Sequence, residues 1–156
     1  MDVEVKIEGM NELMKDLADS GANSKRLVTS ALANSSNKIQ SEARKRAPHR
    51  TGSLQRSILA YLKYPLAIVQ VNEKYGVYIE QGTGIYGPEG RPIRPVKAKV
   101  LVFKIGGRTI FTKEIKGIRA KPFFAPGIQA SQTYVSQQFT RVIDLMVKGL
   151  AGKGYQ

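Results

Sequence analysis

Residues 100–115, VLVFKIGGRTIFTKEI, carry the clearest local signal in the chain. Val100, Leu101 and Phe103 lead into Gly106-Gly107, and Ile110, Phe111 and Ile115 lead out. Two adjacent glycines both accept positive φ, which the tight two-residue turns of hairpins require and a Cβ opposes. The stretch therefore predicts a β-hairpin. Upstream, residues 56–63, 66–72 and 76–80 keep the two-residue periodicity of strands, interrupted by Tyr64-Pro65 and by residues 72–75. Between these runs and the hairpin lies the 81–98 segment, QGTGIYGPEGRPIRPVKA. Its four glycines and three prolines argue against regular structure. A loop this long in a small domain is usually functional or mobile, so it is expected to be poorly ordered in a free subunit.

Helical periodicity flanks the β region on both sides. From Ser24, read as an N-cap, to Ala47, a stripe of Val28, Leu32, Ser35, Ile39 and Ala43 recurs every three or four residues. Ala31, Ala33, Ser35 and Ser36 keep that stripe small, which suits close approach to a sheet or a partner. The helix ends in Arg44-Lys45-Arg46, whose cations complement the macrodipole, and is closed by Pro48. Toward the C-terminus, Val135, Phe139, Val142, Met146 and Leu150 mark a second helical face over about 130–150. Phe123 and Phe139 are expected in the core. At the N-terminus, alternating Val3, Val5 and Ile7 predict a strand. Met10, Leu13, Met14 and Leu17 then predict a short helix stopped by Ser20-Gly21. The sum is a single α+β domain over 1–156, an antiparallel sheet with a β-hairpin packed against a long helix and a C-terminal helix. A flexible tail follows at about 151–156.

Charge is the compositional outlier. The 156 residues carry 25 Lys+Arg against 12 Asp+Glu, a formal net charge of +13. Residues 1–20 are net acidic, whereas 24–63 and 91–121 hold nine and ten basic residues against one acid each. Such a field favours polyanions or an acidic face on a neighbouring subunit. The chain has no cysteine and one histidine, His49, which sets aside disulfides, thiolate metal sites and cysteine nucleophiles. The acidic, alternating N-terminus does not resemble a signal peptide, and a reducing interior is the expected setting.

Enzymatic chemistry finds little purchase. Gly82-Thr83-Gly84 lacks the Lys-Ser/Thr ending of a phosphate-binding loop and precedes a Pro-rich segment instead of a helix. Glu73 and Glu80 are the only acids between positions 43 and 88, too sparse for two-metal chemistry. His49 has no acid beside it in sequence to orient it as a base. No enzyme activity, cofactor or metal is expected. Nucleic-acid contact is the stronger reading: Arg44, Lys45, Arg46, Arg50 and Arg56, or Arg91, Arg94, Lys97 and Lys99, have the chemistry to track phosphates. No base-reading motif accompanies them, so such contact would be nonspecific and weakened by salt.

Four segments taken in order carry a more specific signal. Ala47-Pro48-His49-Arg50-Thr51-Gly52-Ser53-Leu54 follows the basic helix, and Tyr78-Ile79-Glu80-Gln81-Gly82-Thr83 comes next. The hairpin from Ala98 to Phe111 then precedes Ala120-Lys121-Pro122-Phe123-Phe124-Ala125-Pro126. Over about residues 8–150 this resembles the gene-ten-type tail-component proteins of tailed phages, the neck or tail-completion family of lambda-like siphophages. That family shows A-P-x-x-T-G-x-L, then Y-x-x-Y-V-E-x-G-T, then R-P-F-x-x-P-A before a C-terminal helix. Here Lys121 replaces the usual Arg, Ile79 the usual Val, and Gly127 stands where Ala is common. The matching positions are Ala47, Pro48, Thr51, Gly52, Leu54, Tyr78, Glu80, Gly82, Thr83, Pro122, Phe123 and Pro126. They are scaffold positions: turns at Thr51-Gly52 and Gly82-Thr83, and prolines bracketing anchoring aromatics.

The resemblance implies a virion structural protein at the head–tail junction, assembled in the host cytoplasm. It would form a homo-oligomeric ring, hexameric or dodecameric, that joins the connector or stopper to the tail-terminator or tail-tube proteins. Double-stranded DNA would pass through with nonspecific contact, and no membrane is involved. Within that reading, Arg44, Lys45 and Arg46 are expected to dock, facing either the acidic Glu4, Glu8, Glu12 and Asp16 of a neighbour or another acidic ring. Arg91, Arg94 and Lys97 are expected to line the DNA channel. The alternative is a nonspecific DNA-binding protein acting through its basic patches.

Overall fold

Ala22–Arg46 form one 25-residue helix, α1, in the computed structural model, which describes residues 22–151. The expected strand at 3–7, the short helix of Met10, Leu13, Met14 and Leu17, the acidic residues of that segment and the tail beyond 151 lie outside the described residues. Ser24 is not an N-cap, because Ala22 and Asn23 already precede it within the helix; it is buried instead. The predicted stripe holds, with Val28, Leu32, Ser35, Ile39 and Ala43 all buried. Their spacing of three and four puts them on one face.

That face receives the C-terminal helix, α4 (Phe124–Ala151). Val28, Ala31, Leu32 and Val142 form a buried cluster, with Leu27, Phe139 and Met146 packed against it. At the other end Ala43 meets Gly127, so the two helices run antiparallel. A Cβ on Gly127 would stand 2.8 Å from the Ala43 backbone nitrogen and 2.9 Å from its Cα. The glycine at this position therefore permits a backbone-close crossing. Buried Ser131 donates its hydroxyl to the Gly127 carbonyl at 2.8 Å, keeping the seam small, whereas the buried Ser35 hydroxyl on the α1 stripe has no hydrogen-bond partner among the described residues. Phe123 is fully buried, as expected, with Phe124 edge-on to it at 6.4 Å between centroids. Phe139 is only half-buried. Pro126 falls in the first turn of α4, where its missing N–H costs no helical bond.

After α1 the chain makes a one-turn helix, α2 (Ser53–Ser57), where the start of a strand was expected. Strand β1 (Ile58–Lys63) then pairs antiparallel with β2 (Leu66–Val71) around a cis Tyr64-Pro65 bond. Ile58, Val69 and Val71 are buried, and both strands pack on α1. The expected strand at 76–80 is instead helix α3 (Gly76–Gln81). Gly76 N–H bonds to the Glu73 carbonyl and Ile79 N–H to that of Tyr75, closing helical turns before any strand partner is met. Residues 84–86 add a 3-10 turn, and Ile93 bridges Ile115, so the 81–98 segment is not wholly irregular. The glycine-hinged hairpin forms as predicted: β3 (Leu101–Ile105) pairs with β4 (Arg108–Thr112) across Gly106 and Gly107, both at positive φ.

The architecture is α+β, with two two-stranded antiparallel sheets and α1 packed against α4. It resolves into two compact units. One comprises the residues up to Asn72 together with those from Phe123 onward; the other is Glu73–Pro122.

Candidate interaction surfaces

In the first unit the basic end of α1 is largely engaged within the subunit. Glu42, mostly buried, accepts from Arg46 at 2.5 Å, from Lys38 at 3.0 Å and from Lys45 at 3.1 Å. The Arg46 guanidinium first, then Lys38 and Lys45, hold its carboxyl down from 4.5 to about 2, against the opposing effect of desolvation. Arg44 points elsewhere. Its Nε and Nη2 donate to the Ile58 carbonyl at 3.1 and 2.7 Å, and the Gln40 amide donates to the same oxygen at 2.9 Å. Gln55 returns the contact by donating to the carbonyls of Arg44 and Ala47. The α1 terminus and the start of β1 are thereby latched together. Of the three cations expected to dock, Arg44 fixes the first strand and Arg46 anchors Glu42. Lys45, the most exposed of the three, also pairs with Glu42. Gln40 and Gln55 carry no signal in the sequence, since bonds spanning 8 to 18 residues leave no periodic pattern.

The family-like positions of this unit are structural in the same way. Ala47 and Leu54 are buried, Gly52 takes a left-handed conformation at φ 72, and the Thr51 hydroxyl faces the Ser53 amide. Phe123 sits at the entry to α4.

In the second unit, residues 115–121 tie down α3 and the loop after it. Thr83 N–H bonds to the Ile118 carbonyl at 2.9 Å, while the Thr83 hydroxyl accepts from Ile118 N–H at 3.1 Å. Ile85 N–H reaches the Lys116 carbonyl, Lys121 N–H the Ile79 carbonyl, and Ile93 and Ile115 exchange both bonds. The crossing is closest at Gly84 and Gly117, both at positive φ. A Cβ on Gly117 would lie 2.1 Å from the Thr83 carbonyl oxygen, and one on Gly84 2.2 Å from that of Lys116. Arg119 stacks over Tyr86 at 5.1 Å. Gly82 and Thr83 are thus the knot of this unit, and Glu80 lies beside them on α3.

A groove of about 1030 Å³ opens next to that knot. It brings exposed Tyr78 together with Arg91 and Arg94, two of the three expected channel residues. Arg91 pairs with Glu89 at 2.8 Å and Arg94 with Glu114 at 2.9 Å, while Lys97 is exposed. Surface pairs of this kind contribute about 0–1 kcal/mol each, so both arginines stay available to a stronger anion.

The hairpin of this unit is the larger surface. Leu101, Phe103 and Ile110 share one face and Val102 and Phe111 the other, by the alternation of the pleat. No residue of either strand is buried; Phe111 is 67% exposed, Ile105 61% and Val102 56%. Lys104, Arg108 and Lys113 stand around these side chains, also exposed and without an ion pair among the described residues. Over the whole second unit, eleven basic residues face four acidic ones.

Among the described residues no group of His, Asp and Glu is placed to hold a metal, and no helix is long and apolar enough to cross a membrane. Comparison of the chain with known families, with curated proteins and with solved structures finds no match.

Proposed function

We propose that the protein is a structural subunit of a tailed-phage virion at the head–tail junction, acting by ring formation and docking. The observation that carries this is the β3–β4 hairpin: apolar on both faces, with no buried side chain of its own. A lone two-stranded hairpin is marginal in water. Large apolar patches left exposed on a folded subunit are characteristic of surfaces that assembly covers. The order of motifs in the sequence supports the same reading. The family-like residues serve as turns, knots and anchors here, which suits a family whose fingerprint is a scaffold.

In this reading the first unit supplies the rigid body, through the α1–α4 seam. The second supplies the contact surfaces, with a surplus of positive charge available to neighbours and to passing DNA. Locating the chain in intact particles by cryo-electron microscopy tests it, with density for a ring between connector and tail as the expected result. Joined, infectious particles from a phage lacking the gene would sink it. The surplus of exposed cations in the second unit favours one further reading, nonspecific DNA binding by a free protein. That reading expects duplex affinity that falls steeply and sequence-independently with salt.

A further inference from the structure

We infer that the β3–β4 hairpin of one subunit is covered by the acidic N-terminal segment, residues 2–19, of a second copy of this chain. The inference deepens the assembly reading by naming the two surfaces that meet, and it stands whether or not the ring sits in a virion. Three features converge on it. The hairpin is apolar on both faces, and Val102, Ile105 and Phe111 are exposed. Its charged positions are one-signed: Lys104, Arg108 and Lys113 have no ion pair among the described residues, and Glu114 is already taken by Arg94. The occupant must therefore be apolar and acidic at once.

The chain contains one segment of that chemistry. Residues 2–19 hold six acids against two lysines, interleaved with Val3, Val5, Ile7, Met10, Leu13, Met14 and Leu17. DNA satisfies the charge but offers nothing to Phe111 and Val102. The α1 terminus is a poorer seat for the same acids. There Arg44 is committed to the Ile58 carbonyl, and Lys45 and Arg46 to Glu42. Repeated head-to-tail, contact from one copy's N-terminal segment to the next copy's hairpin builds a ring where the rotation closes.

The test uses the full-length protein and two charge-swapped variants, with self-association followed by sedimentation and folding by circular dichroism. Lys104→Glu/Arg108→Glu/Lys113→Glu and, separately, Glu4→Lys/Glu8→Lys/Glu12→Lys should each weaken self-association about tenfold or more while leaving the subunit folded. Mixing the two should restore it, because each variant then meets an opposite charge at both contacts. Phe111→Asp should weaken association and should not be rescued by either partner. Several results would overturn the contact: a concentration-independent monomer for the unaltered chain, variants that associate as the parent does, or a mixture that stays dissociated. A hairpin variant that loses affinity for a labelled DNA duplex but still self-associates would also overturn it, reassigning the surface to nucleic acid. Absence of the protein from the head–tail junction would remove the virion reading and leave the contact standing.

Discussion

The two hairpins have strands of six and five residues, each in a two-stranded antiparallel sheet, yet they are supported in opposite ways. In β1–β2, Ile58, Val69 and Val71 are buried, the strands pack on α1, and the first carbonyl accepts from Arg44 and Gln40. In β3–β4 no side chain is buried, although Leu101, Val102, Phe103, Ile105, Ile110 and Phe111 are all apolar. Hydrophobic pattern thus specifies that both runs become strands, and it does not specify what covers them. The first hairpin has its cover within its own unit. The second is assigned one from outside the subunit, and substitutions in the two should separate into losses of folding and losses of assembly.

The largest separation is expected at Ile58. Truncating this fully buried side chain to Ala should cost about 2–5 kcal/mol of stability, read as a shifted midpoint in denaturant melts at unchanged slope. A loss below about 1 kcal/mol would mean that the first hairpin is no better anchored than the second.

Next in size is Arg44. Arg44→Met removes two donors from the Ile58 carbonyl and should cost about 1.5–3 kcal/mol, the range for hydrogen bonds to charged groups. Gln40 still reaches that oxygen, so Gln40→Ala should cost more in the Arg44→Met background than alone. A stability-neutral Arg44→Met that instead abolished assembly would return Arg44 to the docking role expected from sequence.

Glu42 gives an effect of direction. Its carboxyl titrates near 2 in the folded chain against 4.5 ordinarily, so its charged form is favoured by folding. That contribution is fully present above about 4.5 and disappears as pH falls through about 2. Glu42→Gln should therefore flatten the acid side of the stability profile between those values and leave the hairpin surface untouched. An unchanged profile would show that Lys38, Lys45 and Arg46 do not hold the carboxylate in solution.

What could be read beforehand follows the range of the interactions. The α1 stripe and the Gly106-Gly107 turn depend on neighbours within a few residues, and both were legible. Residues 76–80 were not. A five-residue run with Val77 and Ile79 alternating against Tyr78 and Glu80 suits either element. The choice fell to the turn closed from Glu73 to Gly76 and to a 115–121 segment that meets α3 end-on. The internal contacts of the docking cluster are hidden from the sequence for a related reason. Its cations are plain in sequence, but Arg44 meets its carbonyl fourteen residues away and Arg46 spends its charge on an acid one turn back.

The smallest expected effect on folding is at Phe111, which makes it the sharpest probe of the comparison. Its ring is two-thirds exposed opposite Val102, so Phe111→Ser removes little that the isolated subunit has buried. Stability should move by no more than about 0.5 kcal/mol, the range for surface substitutions away from special features. If the hairpin is covered only on assembly, the same substitution should still weaken subunit association about tenfold, because the apolar area is lost only from the assembled state. Denaturant melts at low protein concentration and sedimentation at high concentration separate the two quantities. A destabilisation of about 2 kcal/mol or more in the dilute melt would show that Phe111 is already covered within the monomer, and the contrast between the hairpins would then be one of degree.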